Sequence, residues 1–493
     1  MQFAFMFMNL EINNKLKEGK NMYNVKSKKA EEFIDNQEIL DTMAYAEENK
    51  NNETLIDDII TRAGDFKGLS HREAAVLLAC ELEDQNKRLV TLAQEIKKKF
   101  YGNRIVMFAP LYLSNYCVNG CVYCPYHHKN TTIKRKQLSQ EEIVKEVIAL
   151  QDMGHKRLAL ETGEDPVNCP LEYVLESIKT IYSIKHKNGD IRRVNVNIAA
   201  TTVENYKRLK DAGIGTYILF QETYHKENYE MLHPTGPKHN YAWHTEAMDR
   251  AMAGGIDDVG IGVLFGLNMY RYDFVGMLMH AEHLEAAMGV GPHTISVPRI
   301  CPADDIDTND FSNAISNDVF EKIVTVLRIA VPYTGMIVST RESQASRERV
   351  LKLGISQVSG GSCTSVGGYD HPEPEEENSS QFDVTDTRKL DDIVNWLLEM
   401  GHIPSFCTAC YREGRTGDRF MKLVKSGQIV NCCQPNAVMT LKEYLEDYAS
   451  ADTKAKGEVM IQRELKSIPS DKVREIATGH LTELSAGKRD FCF

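Results

Sequence analysis

The sequence predicts an α/β fold: a (β/α)8 TIM-type barrel with a helical region before it and a mainly helical domain after it. Three observations carry this. Apolar residues recur at helical spacing from residue 23 to about 100; short apolar or β-branched runs alternate with helix-length stretches from residue 105; helical patterning returns beyond residue 383. The domain bounds expected from these changes are 1–100, 101–370 and 371–493.

The opening MQFAFMFMNL is apolar, but no basic segment precedes it and no small-residue cleavage site follows, so it does not read as a signal peptide. Met22 is an alternative start. AEEFIDNQEILDTMAYAEE, ETLIDDIITRA and SHREAAVLLACELEDQNKRLVTLAQEIKKKF then read as helices. Eight strand candidates follow: IVMFAPLYLS, RLALETG, RVNVNIA, TYILFQET, DVGIGVLFG, HTISVPRI, GMIVSTRE and QVSGGS. Alternation of this kind implies a parallel sheet, and eight units over about 260 residues fit a closed barrel, with an open doubly wound sheet as the alternative. In either fold the active-site residues lie just beyond the C-terminal ends of the strands. HPEPEEENSSQFD, residues 371–383, is acidic and Pro-containing and reads as a linker; beyond it a helix is expected around VNWLLEM.

With 493 residues, 42% hydrophobic and 26% charged, the chain can bury a large core. Its net charge of −12 and pI near 5.7 argue against a broad nucleic-acid footprint, which needs a basic face. No run reaches the roughly 20 apolar residues of a membrane helix, so neither nucleic acid nor membrane is an expected partner. Twelve cysteines without a secretion signal point to a reducing, cytoplasmic compartment where thiols hold metal or stay free.

Cys117, Cys121 and Cys124, in CVNGCVYC, stand in a Cys-x3-Cys-x2-Cys spacing directly after the first strand. Structural zinc takes four ligands, usually as two close pairs, so the spacing suits zinc poorly. Three thiolates on one loop can instead hold three irons of a [4Fe–4S] cube and leave the fourth open to a small molecule. A zinc knuckle and three unrelated core cysteines are the alternatives. With Tyr123 before the last cysteine, the loop resembles the signature of the radical S-adenosylmethionine (SAM) enzymes. The resemblance implies that SAM chelates the open iron, and that one electron from the cluster cleaves it to methionine and a 5′-deoxyadenosyl radical. The triad is then both catalytic and metal-binding, and an exposed low-potential cluster implies an anaerobic organism.

At the end of the second strand, Thr162–Gly163–Glu164 resembles the Gly-Gly-Glu-like segment of that family, with Thr in place of one Gly. This implies that Glu164 helps to hold the methionyl amino group; a solvent-facing acidic turn is the alternative. Glu222, at the end of strand four, is placed to bind ribose hydroxyls or a substrate amine, and Gly260, Gly262 and Gly266 to let adenine pack closely. By the same resemblance Tyr126 contacts adenine through its backbone. FQETYHKENYEMLHPTGPKHNY and MDRAMAGGIDDVGIGVLFGL closely resemble the tyrosine-cleaving branch of the radical SAM enzymes, whose members include 2-iminoacetate synthase of thiazole biosynthesis and the [FeFe]-hydrogenase maturase family.

The tail segment FCTACYREGRTGDRFMKLVKSGQIVNCCQPNA places Cys407 and Cys410 two residues apart and Cys433 22 residues further on, with Cys432 beside it. That is a metal site one ligand short, or zinc if all four bind. Neighbouring cysteines rarely ligate one small ion together, and the following Pro-Asn-Ala favours Cys433 by resemblance. The maturase family has this Cys-x2-Cys-x22-Cys tail and the thiazole enzyme lacks it. It implies an auxiliary iron–sulfur cluster bearing an extra iron.

Arg341 and Ser339 end strand seven, where a guanidinium can pair with a substrate carboxylate; Arg299 of strand six competes for that role. His293 opens strand six at the opposite end of the barrel, where imidazole can reach the extra iron, with His283 as the alternative. Cys80, Cys169, Cys301, Cys363 and Cys492 have no partner spacing and read as core or incidental thiols.

The resemblance thus implies a carbon–carbon lyase that cleaves L-tyrosine to p-cresol and dehydroglycine, which becomes CO and cyanide on iron for the hydrogenase H-cluster. The implied cofactors are two iron–sulfur clusters and SAM. The implied partners are tyrosine, a low-potential electron donor, other hydrogenase maturation proteins and a free ligand such as cysteine. The alternatives are a lyase that stops at dehydroglycine for thiazole synthesis and a non-enzymatic iron–sulfur scaffold. Passage between the two ends requires a hollow interior, since such barrels are normally filled by side chains.

Overall fold

The computed structural model describes residues 23–371 and 379–493. The apolar opening segment, Met22 and residues 372–378 of the expected linker lie outside the described residues. Arg104–Ser114 (β1), Arg157–Thr162 (β2), Arg193–Asn197 (β3), Tyr217–Ile218 (β4), Val259–Gly262 (β5), Thr294–Ser296 (β6), Gly335–Val338 (β7) and Gln357–Ser359 (β8) pair in parallel in sequence order. β8 pairs back onto β1, Val106 opposite Gln357 and Phe108 opposite Ser359, so the sheet is a closed barrel and not an open one.

Ile403–Ser405 adds a ninth strand, β9, parallel to the first residues of β1, Arg104 opposite Ile403. Three residues are too few for an alternation pattern to register, which is why the sequence reads this stretch as tail. Residues 379–383 also depart from expectation. Gln381 N donates to Thr364 O at 3.1 Å, Tyr112 OH donates to Gln381 Oε1 at 2.9 Å, and Phe382 is buried. An aromatic side chain in an otherwise polar segment gains from burial, and here it draws the segment into the barrel mouth.

The connecting helices start where side chains cap them. Ser139 and Glu142 form a capping box before Gln140–Met153, and Ser316 accepts from Val319 N before Asn317–Ala330. The inner face of Asn317–Ala330 buries Phe320, Ile323, Val324 and Leu327 completely. The helices before the barrel pack on its flank, against the barrel helices Tyr270–Met288 and Asn317–Ala330. On Tyr270–Met288, His283 stacks on Phe33 at 3.7 Å, donates from Nδ1 to Val25 O at 2.7 Å and lies 3.0 Å from Asp249 through Nε2. It is a packing residue on the barrel's outside and is removed as a candidate iron ligand. The helices Val430–Asp447, Ala451–Leu465 and Asp471–Ser485 build on β9, with Phe406 stacked on Tyr444 at 4.9 Å.

Candidate functional site

β1 runs out of the barrel into the cysteine loop, which has no regular structure and is fixed by side chains. Arg135 Nη1 donates to the carbonyls of Asn115 and Tyr126 at 2.6 and 2.8 Å, and Nη2 to that of His127 at 2.7 Å. One planar fork of donors thus holds three turns of the loop. Cys117, Cys121 and Cys124 are free thiols lining one cavity of about 160 Å³ at the mouth of the barrel. Burial, with the Cys117 thiol beside it, pushes Cys124 up to about 12, and burial raises Cys121 as well. Iron ions supply the positive charge that lets such a buried set ionise together, so the donor set fits a cluster. The loop also has no spare room: a Cβ added at Gly163 would collide with the Tyr116 carbonyl, and one at Gly120 with Thr235.

Asn119, which the sequence reading passed over, ties the site together. Its Nδ2 donates to Glu164 Oε2 at 2.6 Å and lies 3.7 Å from Cys117 Sγ, while its Oδ1 accepts from Lys238 N at 3.0 Å. Burial raises Glu164, against the Asn119 hydrogen bond and the Lys238 charge. Glu222 holds a positive φ of 67°, a strained backbone for a non-glycine residue, and accepts from Lys238 Nζ at 2.9 Å. Burial works against the Lys238 charge, but Glu222 and the thiols of Cys121 and Cys124 outweigh it and raise its pKa. A lone lysine after a Gly-Pro turn looks like any surface lysine in sequence, so Lys238 carried no signal of its own.

Tyr126 lines the cavity; its OH donates to Ser379 O at 3.1 Å and its carbonyl already accepts from Arg135. Gly260, Gly262 and Gly266 do not face the cavity. A Cβ added at them would meet Thr294, Phe220 and Ile300, so their smallness lets barrel elements pack closely, including Phe220 and Ile300 of the cavity wall.

Arg341 and Arg299 separate cleanly. Arg299 pairs bidentately with Glu342, Nε to Oε1 at 2.8 Å and Nη2 to Oε2, and Nη2 also reaches Asn317 at 3.0 Å; it is a structural ion pair. Arg341 lies over the Phe382 ring at 3.6 Å and makes no salt bridge among the described residues. Ser339 Oγ accepts from Arg341 N at 3.3 Å and lines a deeper cavity, which shares Glu161, Asn197, Phe220 and Arg341 with the mouth. Burial pushes Glu161 up to about 8, against the Asn197 hydrogen bond and the Arg341 charge.

The Glu161 carboxyl, raised from 4.5 to about 8 on folding, binds its proton more tightly in the folded state, so it favours folding below 4.5 and loses that contribution as pH climbs to about 8. Glu161→Gln is therefore expected to raise Tm relative to wild type at pH 9 more than at pH 5, measured by thermal unfolding followed by circular dichroism.

At the opposite end of the barrel, Cys407, Cys410, Cys433 and His293 line one cavity of about 110 Å³ with Arg157, Gln357 and Tyr411; Cys432 does not line it. A hydrogen bond with Cys433, aided by Arg415 and Arg157, lowers Cys410 to about 6 against the cost of burial. Burial and the neighbouring Cys410 push Cys407 up to about 11, and the hydrogen bond with Cys410, with burial, raises Cys433. His293 Nε2 takes the Tyr411 hydroxyl at 3.0 Å, and its Nδ1 stands 3.4 Å from Asp258 without a hydrogen bond. Among the described residues no three His, Cys, Asp or Glu side chains converge on one ion-sized point. Thiols spread around a cavity suit a group of several irons better than a single zinc.

The barrel therefore carries a small-molecule site at its mouth and a second thiol-lined site below, the frame of an iron–sulfur enzyme with two metal groups. The sequence matches the Radical SAM superfamily over residues 111–280 and the Biotin and Thiamin Synthesis associated domain over 296–403. It is 31% identical to the 2-iminoacetate synthase of Salmonella typhimurium over 350 residues, 70% of this chain and 89% of that protein. The fold superposes on a crystal structure of HydG, a maturase of the [FeFe]-hydrogenase, with TM-score 0.90 and 56% identity, covering 94% of this chain and 100% of that one. HydG from Carboxydothermus hydrogenoformans gives TM-score 0.78 and 38% identity, covering 92% and 99%. The chain belongs to the radical SAM superfamily and, within it, to the HydG maturases.

Proposed function

We propose that this chain cleaves L-tyrosine to p-cresol and dehydroglycine at the barrel mouth and converts the dehydroglycine at the lower site to CO and cyanide for [FeFe]-hydrogenase H-cluster assembly. The observation that carries this reading is the pair of thiol-lined cavities at the two ends of one barrel, the mouth lined by Cys117, Cys121 and Cys124 with Cys301 on its wall, and the lower one by Cys407, Cys410 and Cys433. When bound, the mouth cluster with SAM supplies the 5′-deoxyadenosyl radical, and the lower group supplies the iron that holds the small products.

The chain's own residues do the rest. Cys117, Cys121 and Cys124 hold the mouth cluster; Glu164, aligned by Asn119, receives the methionyl amino group; Glu222 and Tyr126 contact the nucleoside. Arg341, with no carboxylate partner among the described residues, clamps the tyrosine carboxylate beside Ser339. Cys407, Cys410, Cys433 and His293 hold the lower group, with a free ligand such as cysteine completing it. The walls exclude water from the radical. The partners this reading calls for are a low-potential electron donor for the mouth cluster it would hold and other hydrogenase maturation proteins. Among the described residues no helix is long and apolar enough to cross a membrane.

Arg341→Ala is expected to raise the KM for tyrosine steeply, since losing a buried bidentate charged contact costs about 2–5 kcal/mol. The KM is read from p-cresol formation by chromatography. If an amino acid other than tyrosine stimulates SAM cleavage and tyrosine does not, the substrate assignment is wrong. A reduced sample that cleaves no SAM at all would instead favour a scaffold.

A further inference from the structure

β2 and β3 are built alike: RLALET and RVNVN each begin with Arg at the lower end and finish with a polar residue at the mouth. They are paired in register, Arg157 opposite Arg193 and Glu161 opposite Asn197. Alternate residues of a strand share a face, so Arg157, Ala159 and Glu161 form one inward row about 13 Å long. Glu161 lines the mouth cavity, Ala159 the deeper interior and Arg157 the lower cavity. The residue between the two ends of this row has the smallest side chain, so no bulky group of the row itself stands between Glu161 and Arg157; the deeper and lower cavities share no lining residue, and passage between them requires the side chains that separate them to move.

Two guanidiniums thus stand side by side at the lower end, each more than nine-tenths buried. Neither makes a salt bridge among the described residues. Arg157 donates from Nη2 to Cys407 O at 2.8 Å, but its Nε has no partner; Arg193 donates from Nε to Asn195 Oδ1 at 3.2 Å and lies against the Tyr411 ring, but its Nη2 has none. His293 Nδ1 and Thr408 Oγ1 are unpartnered at the same place. Buried donors are almost always satisfied, so this concentration marks the position of a polar ligand. The buried Asp258 carboxylate, 3.4 Å from His293, counters the Arg193 charge, but it makes no ion pair with Arg157, so the uncompensated charge is that of Arg157; it calls for an anion, and a guanidinium edge matches a carboxylate.

We propose that Arg157, with Arg193 behind it, is a carboxylate-binding station that receives the two-carbon fragment of the substrate at the lower site. The inference rests on the tyrosine-cleaving reading above. Arg341 holds the carboxylate while the aromatic side chain is removed, and Arg157 holds the same carboxylate after the fragment has moved down the row. A fragment not captured escapes to water, which adds to its C=N bond and releases ammonia, leaving free glyoxylate.

The test compares Arg157→Gln and Arg157→Lys with wild type in reconstituted enzyme. Tail iron is counted, turnover products are partitioned into p-cresol, CO and glyoxylate, and glyoxylate binding is measured by calorimetry. Arg157→Gln is expected to lower CO per p-cresol by roughly 30-fold or more, with a matching rise in free glyoxylate and a comparable loss of glyoxylate affinity. Arg157→Lys keeps the charge without the fork; it should retain the tail iron and show the same redistribution in weaker form. Unchanged partition and unchanged glyoxylate affinity in an iron-replete Arg157→Gln or Arg157→Lys enzyme would overturn the proposal. If Arg157→Gln loses its iron and Arg157→Lys behaves as wild type, the arginine only offsets thiolate charge and the proposal also fails. Absence of p-cresol from the wild type would instead overturn the underlying reading of the reaction.

Discussion

Replacing any one of Cys117, Cys121 or Cys124 by Ala is expected to abolish SAM cleavage while the barrel stays folded. An open-iron site needs all three thiolates, and two cannot hold the cube with one iron free. The fold should survive because the loop lies outside the sheet and is held by Arg135 and by the Asn115 side chain, which accepts from Lys136 N at 2.7 Å and donates to Lys134 O at 2.8 Å. Losing one small side chain there costs on the order of 1–2 kcal/mol, within what a large domain tolerates. The check is 5′-deoxyadenosine by chromatography beside a far-ultraviolet circular dichroism spectrum. Retained 5′-deoxyadenosine in a variant of the triad would sink the radical SAM assignment of this loop.

The Cys407→Ser, Cys410→Ser double variant is expected to keep making p-cresol but to lose nearly all CO. The two cavities lie at opposite ends of the barrel, and the cysteine side chains of one do not line the other. Cys407 and Cys410 both line the lower cavity, so replacing the two removes two of its three thiol ligands. Serine preserves volume, which separates lost metal from lost packing. The variant's iron content should fall to that of the mouth cluster alone, read by iron and sulfide analysis with electron paramagnetic resonance. Undiminished CO from a folded variant shown to lack tail iron would refute the division of labour, and zinc in the wild-type tail would refute its chemistry.

Much of this site was legible in the sequence because its determinants are local. The triad falls after β1 by spacing alone, and Thr162–Gly163–Glu164 ends β2 where the strand pattern puts it. His293 also precedes β6 as expected and faces the lower cavity. What stayed hidden depends on contacts between distant segments. Asn119, Lys238 and Glu222 become one network only when β4 and the cysteine loop meet, and Arg135 is a loop staple rather than a surface charge. Arg299 and Arg341 are indistinguishable as sequence; the partner Glu342 tells them apart. β9 and residues 379–383 were missed because three residues show no period and a polar segment hides one buried aromatic. The row from Arg157 to Glu161 was written in RLALE, but its meaning needs the closed barrel.

The most direct test of the account follows L-tyrosine carrying carbon-13 in its carboxyl group through turnover of the wild-type enzyme, with p-cresol and carbon-13 CO counted in the same sample. The account predicts that both appear and that the labelled carbon emerges as CO, because the mouth releases the side chain and the lower site receives the carboxyl-bearing fragment. p-Cresol accompanied by labelled glyoxylate and no labelled CO would contradict it and leave a tyrosine lyase of the thiazole type.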